Sequence, residues 1–324
     1  MKKKKIISVV ILLLAVVLLA GCGGKNPEDK PITGFTEFWD LFVYPMAGLM
    51  WVIAKTIGFG NYPLTIVIAT IVVRTLAWPI YGKTNDMQLK MQLVQPEMER
   101  IQKKYMGKED QESKQRMSLE TMQLYKKYGI GLGGCFMPFV QMPIFIGFYR
   151  TIARIPACIK TAGHWLGKDL FTSTKLFGVD MLLKQNELIN ESTGAIEVVK
   201  GWTTQKWGVL ILAALVGITQ IVSIIISNQR QKKQQEKQVS DIPEYRRPQQ
   251  SDQQKTTNTM MKFMLYFMAV MMVVFVWGSA AGLGIYWVVG NIYSTFQQWI
   301  GQVGQEKRLE KLKAKQEKAQ RRGF

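Results

Sequence analysis

The sequence is short of the residues from which soluble active sites are built. Its 324 residues include one histidine, His164, and three cysteines, Cys22, Cys135 and Cys158. A single histidine cannot assemble a metal cluster, and we expect it at the surface. Cys135 and Cys158 lie near opposite ends of one apolar block, roughly 30 Å apart if that block is helical, which excludes a disulfide between them. Phosphate-binding glycine loops and a nucleophile with a histidine base are also missing, which argues against an enzyme.

Acidic residues are scarce too. The chain carries 23 Asp and Glu against 42 Lys and Arg, a formal charge of +19. Such an excess suits either nucleic acid or the cytoplasmic face of a membrane. Hydrophobic residues make up 48% of the chain. They are concentrated in blocks that reach the length of about 18 residues needed to cross a bilayer. Binding to a specific nucleic acid would leave these blocks unexplained, so the charge indicates a membrane protein.

The N-terminus has the order of an export signal. Lys2–Lys5 form a positive region, Ile6–Leu19 an apolar core, and residues 19–22 read Leu-Ala-Gly-Cys. This run resembles the lipobox of bacterial lipoproteins, which predicts a cleaved signal peptide over residues 1–21 and a diacylglyceryl group on Cys22. Residues 22–35 would then tether the lipid to the outer face. The alternative is an uncleaved signal anchor with a chance cysteine. No other cofactor is expected.

Residues 36–60 combine an apolar stripe with aromatic rings and charges. We interpret them as a helix lying in the outer membrane interface, where tryptophan rings are stable. A further transmembrane span is the alternative, but Glu37, Asp40, Lys55 and Pro45 argue against it. Five later blocks are apolar enough to span the membrane, and the chain is therefore predicted to be an all-α integral membrane protein. The predicted spans are residues 62–81, 134–153, 207–227, 261–277 and 281–300, within a core of residues 61–300.

The loops between the spans predict the orientation, because positive residues stay preferentially in the cytoplasm. Residues 83–133 carry ten Lys and Arg, residues 228–259 carry seven, and the tail 301–324 carries eight. Residues 154–206 carry seven over a length similar to the first loop, and the turn Gly278–Ala280 has none. The first three segments are therefore predicted inside. The N-terminus, the 154–206 loop and the turn are predicted outside, in agreement with the export signal.

The first cytoplasmic loop has a helical pattern. Apolar residues recur at alternating intervals of four and three, which is a heptad seam on a helix. Gly107 marks a turn, and a weaker seam follows it, so residues 83–133 are predicted to form an antiparallel helical hairpin, with Pro96 kinking its first helix. The 228–259 loop is predicted to be flexible. The first seam consists of Met87, Met91, Val94, Met98, Ile101 and Tyr105.

Arg74 is the clear exception to the apolar character of the predicted spans. It stands twelve residues after Tyr62, which is about 18 Å along a helix and near or past the membrane midplane. An arginine there costs about 2.5–3.5 kcal/mol. One interpretation is a hydrated cavity that holds a fixed positive charge; the other is an arginine that reaches the cytoplasmic phosphates. We favour the cavity, because intramembrane charges usually serve a function.

Three features together resemble the YidC/Oxa/Alb family of membrane protein insertases. They are the stretch Pro138–Phe145, the run Gly282–Asn291, and Arg74 in the first span, with the charged hairpin after it. The lipobox and the lack of a large outer domain resemble the Gram-positive type. The resemblance implies a five-helix bundle with a groove open to the cytoplasm and to lipid. It implies that the groove is lined by Arg74, Gln141, Gln220 and Trp287.

The same resemblance implies a function that involves no enzymatic reaction. Arg74 would attract acidic residues of a substrate, the hairpin would recruit it, and no nucleotide would be needed. Expected partners are nascent membrane proteins, the Sec translocon, the phospholipid bilayer and, through the basic tail, the ribosome. The main alternative is a small-solute secondary transporter or channel. That class predicts internal repeats and broken helices that face each other across the midplane. No such duplication is evident in the sequence, and the number of predicted spans is odd.

Overall fold

The structure is a computed structural model, and it describes residues 30–35, 37–108, 110–130, 133–190, 196–239 and 252–304. The predicted signal peptide, the lipidation site Cys22 and most of the basic tail lie outside these residues. Eight helices and four short strands are formed within them. The helices are α1 Asp40–Thr56, α2 Tyr62–Leu76, α3 Trp78–Lys104, α4 Gln111–Lys127, α5 Gly133–Lys160, α6 Thr204–Val239, α7 Asp252–Trp277 and α8 Ala281–Val303.

The prediction of an all-α chain is correct for the bundle but wrong for the segment between α5 and α6. That segment contains two small antiparallel sheets. Strands β1 (Lys175–Leu176) and β2 (Val179–Asp180) form one, and strands β3 (Glu187–Ile189) and β4 (Ile196–Val198) form the other. Pairs this short produce no detectable alternation of apolar residues, so the sequence pattern could not indicate them.

Several helix ends differ from the predicted spans. Helix α2 ends at Leu76 rather than at Tyr81, because Pro79 has no N–H to donate and stands in the first turn of α3. Helix α5 continues seven residues past the predicted end, to Lys160. Helices α6 and α7 extend into the 228–259 loop that was predicted to be flexible. Gln, Lys and Arg favour helices, and here they prolong them.

The helices pack around one main core. Helix α1 lies against α5 and α2, α2 lies against α8, and α6 lies against both α7 and α8. Fully buried side chains at the centre include Tyr62, Ile66, Phe148 and Ile152. The Phe148 and Tyr286 rings stack with centroids 4.7 Å apart, which joins α5 to α8. The core therefore lies toward the end of the bundle predicted to face outside.

Among the described residues, one helical stretch, Thr204–Lys233, is long and apolar enough to cross a membrane. Only 28% of its most apolar window is buried within the protein, so most of that surface is available to lipid. Tyr62–Leu76 and Lys262–Trp277 are shorter apolar helices. The chain is thus mostly helical with one clear span, and the arrangement of five spans stays a prediction.

Helices α3 and α4 form the antiparallel hairpin that the heptad seam predicts. Gly107, with φ +82°, lies between them in the left-handed region that glycine tolerates. Val94 and Leu124 are buried between the two helices. Glu97 accepts hydrogen bonds from Tyr128 and from Lys127, and Lys104 pairs with Glu120 at 2.6 Å. Helix α3 continues without a break through Pro96.

Candidate functional site

Arg74 lies in the last turn of α2 and is half-buried. Its Nη1 donates a hydrogen bond to the Ser294 hydroxyl on α8. One turn earlier on α8, Gly290 lets the guanidinium approach the backbone, since a Cβ built on this glycine would lie 2.8 Å from Nη2 of Arg74. The sequence thus places the charge against α8 through a glycine and a serine four residues apart, on one face of the helix.

A layer of polar side chains surrounds this contact. The Thr75 and Tyr293 hydroxyls are 2.8 Å apart, which adds a second contact between α2 and α8. On the other side of α8, the Asn291 amide donates to Thr219 of α6 at 3.2 Å. The Thr295 and Ser223 hydroxyls are also 3.2 Å apart. Helices α2, α6 and α8 therefore share one polar layer inside an otherwise apolar bundle. We call it the Arg74 layer. It consists of Arg74 and seven polar residues around it: Thr75, Thr219, Ser223, Asn291, Tyr293, Ser294 and Thr295.

Within the described part of the chain, Arg74 has no acidic partner. The ion pairs found there all involve other residues. A guanidinium has five N–H donors, and the Ser294 hydroxyl can satisfy only one of them. A half-buried arginine must satisfy the others with water or with acceptors that arrive from outside the bundle. The geometry therefore provides a positive charge that is held in place but not neutralised.

The other predicted groove residues are less closely connected to Arg74. Trp287 is half-buried, with its ring 5.4 Å from that of Phe145, and its indole N–H has no hydrogen-bond partner in the described structure. Gln220 is half-buried next to Thr219, and none of the hydrogen bonds between described residues joins it to Arg74. The side chain of Gln141 lies outside the described residues. The roles of these three residues as groove lining stay predictions.

Sequence reasoning missed a second buried charge cluster, toward the predicted outer face. Asp40 was assigned to an interfacial helix and Arg154 to a loop, yet the two side chains are 0% and 5% exposed and form an ion pair of 2.5 Å. Neighbouring Arg150 pairs with Glu37 at 2.7 Å. Arg150 and Arg154 lie four residues apart on one face of α5. No local pattern pairs them with Asp40, the first residue of α1, or with Glu37, which precedes that helix.

Arg154 also holds residues 30–32, which we call the N-terminal strap. Its Nε donates to the Lys30 carbonyl and its Nη2 to the Pro31 carbonyl, both at 3.0 Å. Ile32 is fully buried, and its N–H donates to Cys158 Sγ at 3.3 Å.

The His164 ring, which was predicted at the surface, is half-buried and bonds both to the strap and to its own loop. Its Nε2 lies 2.9 Å from the Ile32 carbonyl, which accepts the hydrogen bond, and Nδ1 accepts from the Leu166 N–H at 3.0 Å. The Trp165 indole N–H donates to the same Ile32 carbonyl at 3.3 Å. The strap, which belongs to the predicted tether of residues 22–35, is thus bound to the end of α5 and the loop after it.

Comparison with known proteins identifies the family to which this chain is similar. The model of the family described as "60Kd inner membrane protein" matches residues 52–308, more than three quarters of the chain. The protein named membrane protein insertase MisCA of Bacillus subtilis is 31% identical over 87% of this chain and 85% of its own length.

Two further relatives agree with this result. An Oceanobacillus iheyensis protein named membrane protein insertase YidC is 30% identical over 86% of this chain and 89% of its own. A Bacillus anthracis protein named membrane protein insertase YidC 2 is 30% identical over 92% and 93%. The family match includes Arg74, the hairpin and α8, and it begins within α1. This chain belongs to the YidC/Oxa/Alb family of membrane protein insertases.

Proposed function

We propose that this chain inserts integral membrane proteins into the cell membrane and that Arg74 receives acidic residues of the incoming segment. The observation that carries the proposal is the guanidinium of Arg74, which α8 holds in place through Ser294 and which no described carboxylate neutralises. The chain is not an enzyme, since insertion breaks no covalent bond.

Electrostatics explain why such a site helps a polar segment to enter. Moving a carboxylate into hydrocarbon costs several kcal/mol, and this cost falls if water and an opposite charge accompany it. The Arg74 layer supplies hydroxyl and amide groups on three helices, which would keep the site wet. The substrate's own apolar segment then provides the driving force, because its transfer to lipid is favourable.

The surface of α7 supports contact with varied substrate segments. Most of its side chains between Met260 and Phe275 are exposed, including Met264, Met268 and Met271. Methionine is flexible and polarisable, so a face rich in it can adapt to different apolar partners. Phe275 of α7 contacts Phe145 and Tyr149 of α5, with ring centroids 6.4 and 5.5 Å apart. A substrate helix could therefore lie along α7 while its polar end reaches the polar interior.

We further propose the topology and partners that the sequence predicts. Five spans would place the N-terminus outside, anchored by a lipid on Cys22, and the tail 301–324 inside. The hairpin of α3 and α4 would recruit nascent membrane proteins, and the basic tail would contact the ribosome. The chain would insert its substrates either alone or together with the Sec translocon. The family makes the small-solute transporter alternative the less favoured one.

Site-specific photocrosslinking tests the groove. A photoreactive amino acid at position 294 lies beside Arg74, whereas one at position 292 lies about 200° around the same helix, where Ile292 is exposed. We expect a ribosome-bound nascent membrane protein to crosslink strongly from position 294 and weakly from position 292. Crosslinks from position 292 alone would contradict a substrate path past Arg74.

A further inference from the structure

A second groove lies on the far side of α8 from Arg74. It runs between α6 and α8 and has a volume of about 400 Å³, which is in the range of small-ligand sites. Its walls are mainly apolar, and one charged residue, Arg230, belongs to them. The apolar walls are formed by Ile218 and Val222 of α6 and by Ile292, Phe296 and Trp299 of α8.

The two walls of this groove run in parallel. Thr219 bonds to Asn291 and Ser223 bonds to Thr295, so the same offset of 72 residues holds at both contacts. Along α6, the groove extends from Ile218 to Arg230, which is about 18 Å and close to half of a bilayer's hydrocarbon thickness. Arg230 lies at the end nearer the predicted cytoplasm. The groove therefore has the length of one lipid leaflet, with its charge at the headgroup end.

Arg230 is the reason to expect a specific ligand. One of its terminal nitrogens, Nη1, is buried and has no hydrogen-bond partner in the described structure. A buried donor on a charged group is costly to leave unsatisfied, which implies an acceptor that the described residues do not provide. The tail 301–324 is a poor candidate, because it carries eight Lys and Arg against three Glu. An acceptor of negative charge from outside the chain fits better.

We infer that the groove between α6 and α8 binds an anionic phospholipid of the cytoplasmic leaflet. One acyl chain lies against Val222, Ile292 and Phe296, and the headgroup phosphate accepts hydrogen bonds from Arg230. Guanidinium groups bind phosphate in a bidentate manner, which gives the site a preference for charge as well as shape. This site lies on the opposite side of α8 from Arg74, although Thr219, Asn291 and Thr295 of the Arg74 layer also border it. It goes beyond the proposed insertase function.

Native mass spectrometry of the full-length protein, released from detergent with added phosphatidylglycerol or phosphatidylcholine, tests the inference. The wild-type protein should retain phosphatidylglycerol in preference. Arg230→Gln should weaken that binding about tenfold, the effect of losing one charge-assisted contact. Lys232→Gln is the matched control, since Lys232 is exposed two residues away on the same helix and carries the same charge. The control should change binding less than twofold.

A groove-filling variant separates shape from charge. Val222→Trp keeps Arg230 but occupies the apolar part of the groove, so it should also weaken phosphatidylglycerol binding. Two results would overturn the site. One is an equal loss of phosphatidylglycerol binding in Arg230→Gln and Lys232→Gln. The other is wild-type phosphatidylglycerol binding in both Arg230→Gln and Val222→Trp. No substrate protein is present in this assay, so a negative result would leave the insertase proposal intact, and a failed insertion assay would not affect the lipid site.

Discussion

Arg154 and Arg74 solve the problem of a buried guanidinium in opposite ways. The Arg154 side chain is 5% exposed, and each of its three nitrogens donates a hydrogen bond, one to the Asp40 carboxylate and two to carbonyl groups of the N-terminal strap. Arg74 is half-buried and has one hydroxyl partner, Ser294, with a glycine beside it. The first arginine has little capacity left for a ligand, while the second has donors to spare.

The contrast separates a structural charge from a functional one. A fully paired ion pair fixes the elements that carry it, here α1, α5 and the strap, because removal of either partner leaves an uncompensated charge. A charge without a carboxylate partner, held in a polar layer, contributes little to folding and remains available to an acidic group of a substrate. The number of satisfied donors, more than burial alone, distinguishes the two arginines. This comparison makes four predictions, from the largest expected effect to the smallest.

Arg154→Gln should produce the largest loss of stability. It leaves Asp40 buried without its cation, at a cost of about 3–5 kcal/mol. The strap should detach, which exposes Cys158 beneath Ile32. Burial raises the pKa of the Cys158 thiol, so the wild-type protein should react slowly with a membrane-impermeant maleimide and the variant quickly. A Cys158→Ser protein provides the blank, and unchanged labelling in Arg154→Gln would contradict a strap held by this arginine.

Arg74→Ala should leave thermal unfolding in detergent nearly unchanged but reduce insertion of substrates with acidic outward-bound segments, by about tenfold if one charge-assisted contact is lost. Arg74→Lys keeps the charge and should retain much of the activity. A substrate with a neutral segment is the matched control and should be affected little. If Arg74→Ala inserts the acidic substrate as well as the wild-type protein does, Arg74 is not a functional charge in the sense that separates it from Arg154.

Gly290→Ala should have an intermediate effect. The added methyl would contact Nη2 of Arg74 at 2.8 Å, so the flexible side chain must shift away from α8. We expect insertion of acidic substrates to fall a few-fold while the unfolding temperature changes little. Gly48→Ala is the control, because Gly48 lies inside α1 and nothing lies within 4 Å of a Cβ at that position. A similar loss in both variants would mean that helix propensity, and not the guanidinium, is responsible.

Arg150→Gln should have the smallest effect. Its partner Glu37 is 45% exposed, and such partly solvated pairs contribute about 1 kcal/mol or less. The variant changes the same charge on the same helix as Arg154→Gln, one turn away. Thermal unfolding and Cys158 labelling should therefore remain close to wild type. A loss as large as that of Arg154→Gln would show that burial does not set the value of these ion pairs.

Much of the fold could be predicted from the sequence, because helices, heptad seams and charged loops are local patterns. The five apolar blocks all became helices or parts of them, and Gly107 marks the hairpin turn. Arg74 could be singled out because a lone charge in an apolar block is locally visible. The Arg154–Asp40 pair could not, since its partners are 114 residues apart and their meeting depends on how α1 packs on α5. The Ser294 and Gly290 contacts depend on packing in the same way.

The short joint between α2 and α3 has a mechanical consequence. Ala77 alone separates the two helices, so the base of the cytoplasmic hairpin begins four residues after Arg74, about one helical turn away. No flexible loop separates the hairpin from the turn that carries the guanidinium. We therefore expect that a substrate which tilts the hairpin also shifts Arg74.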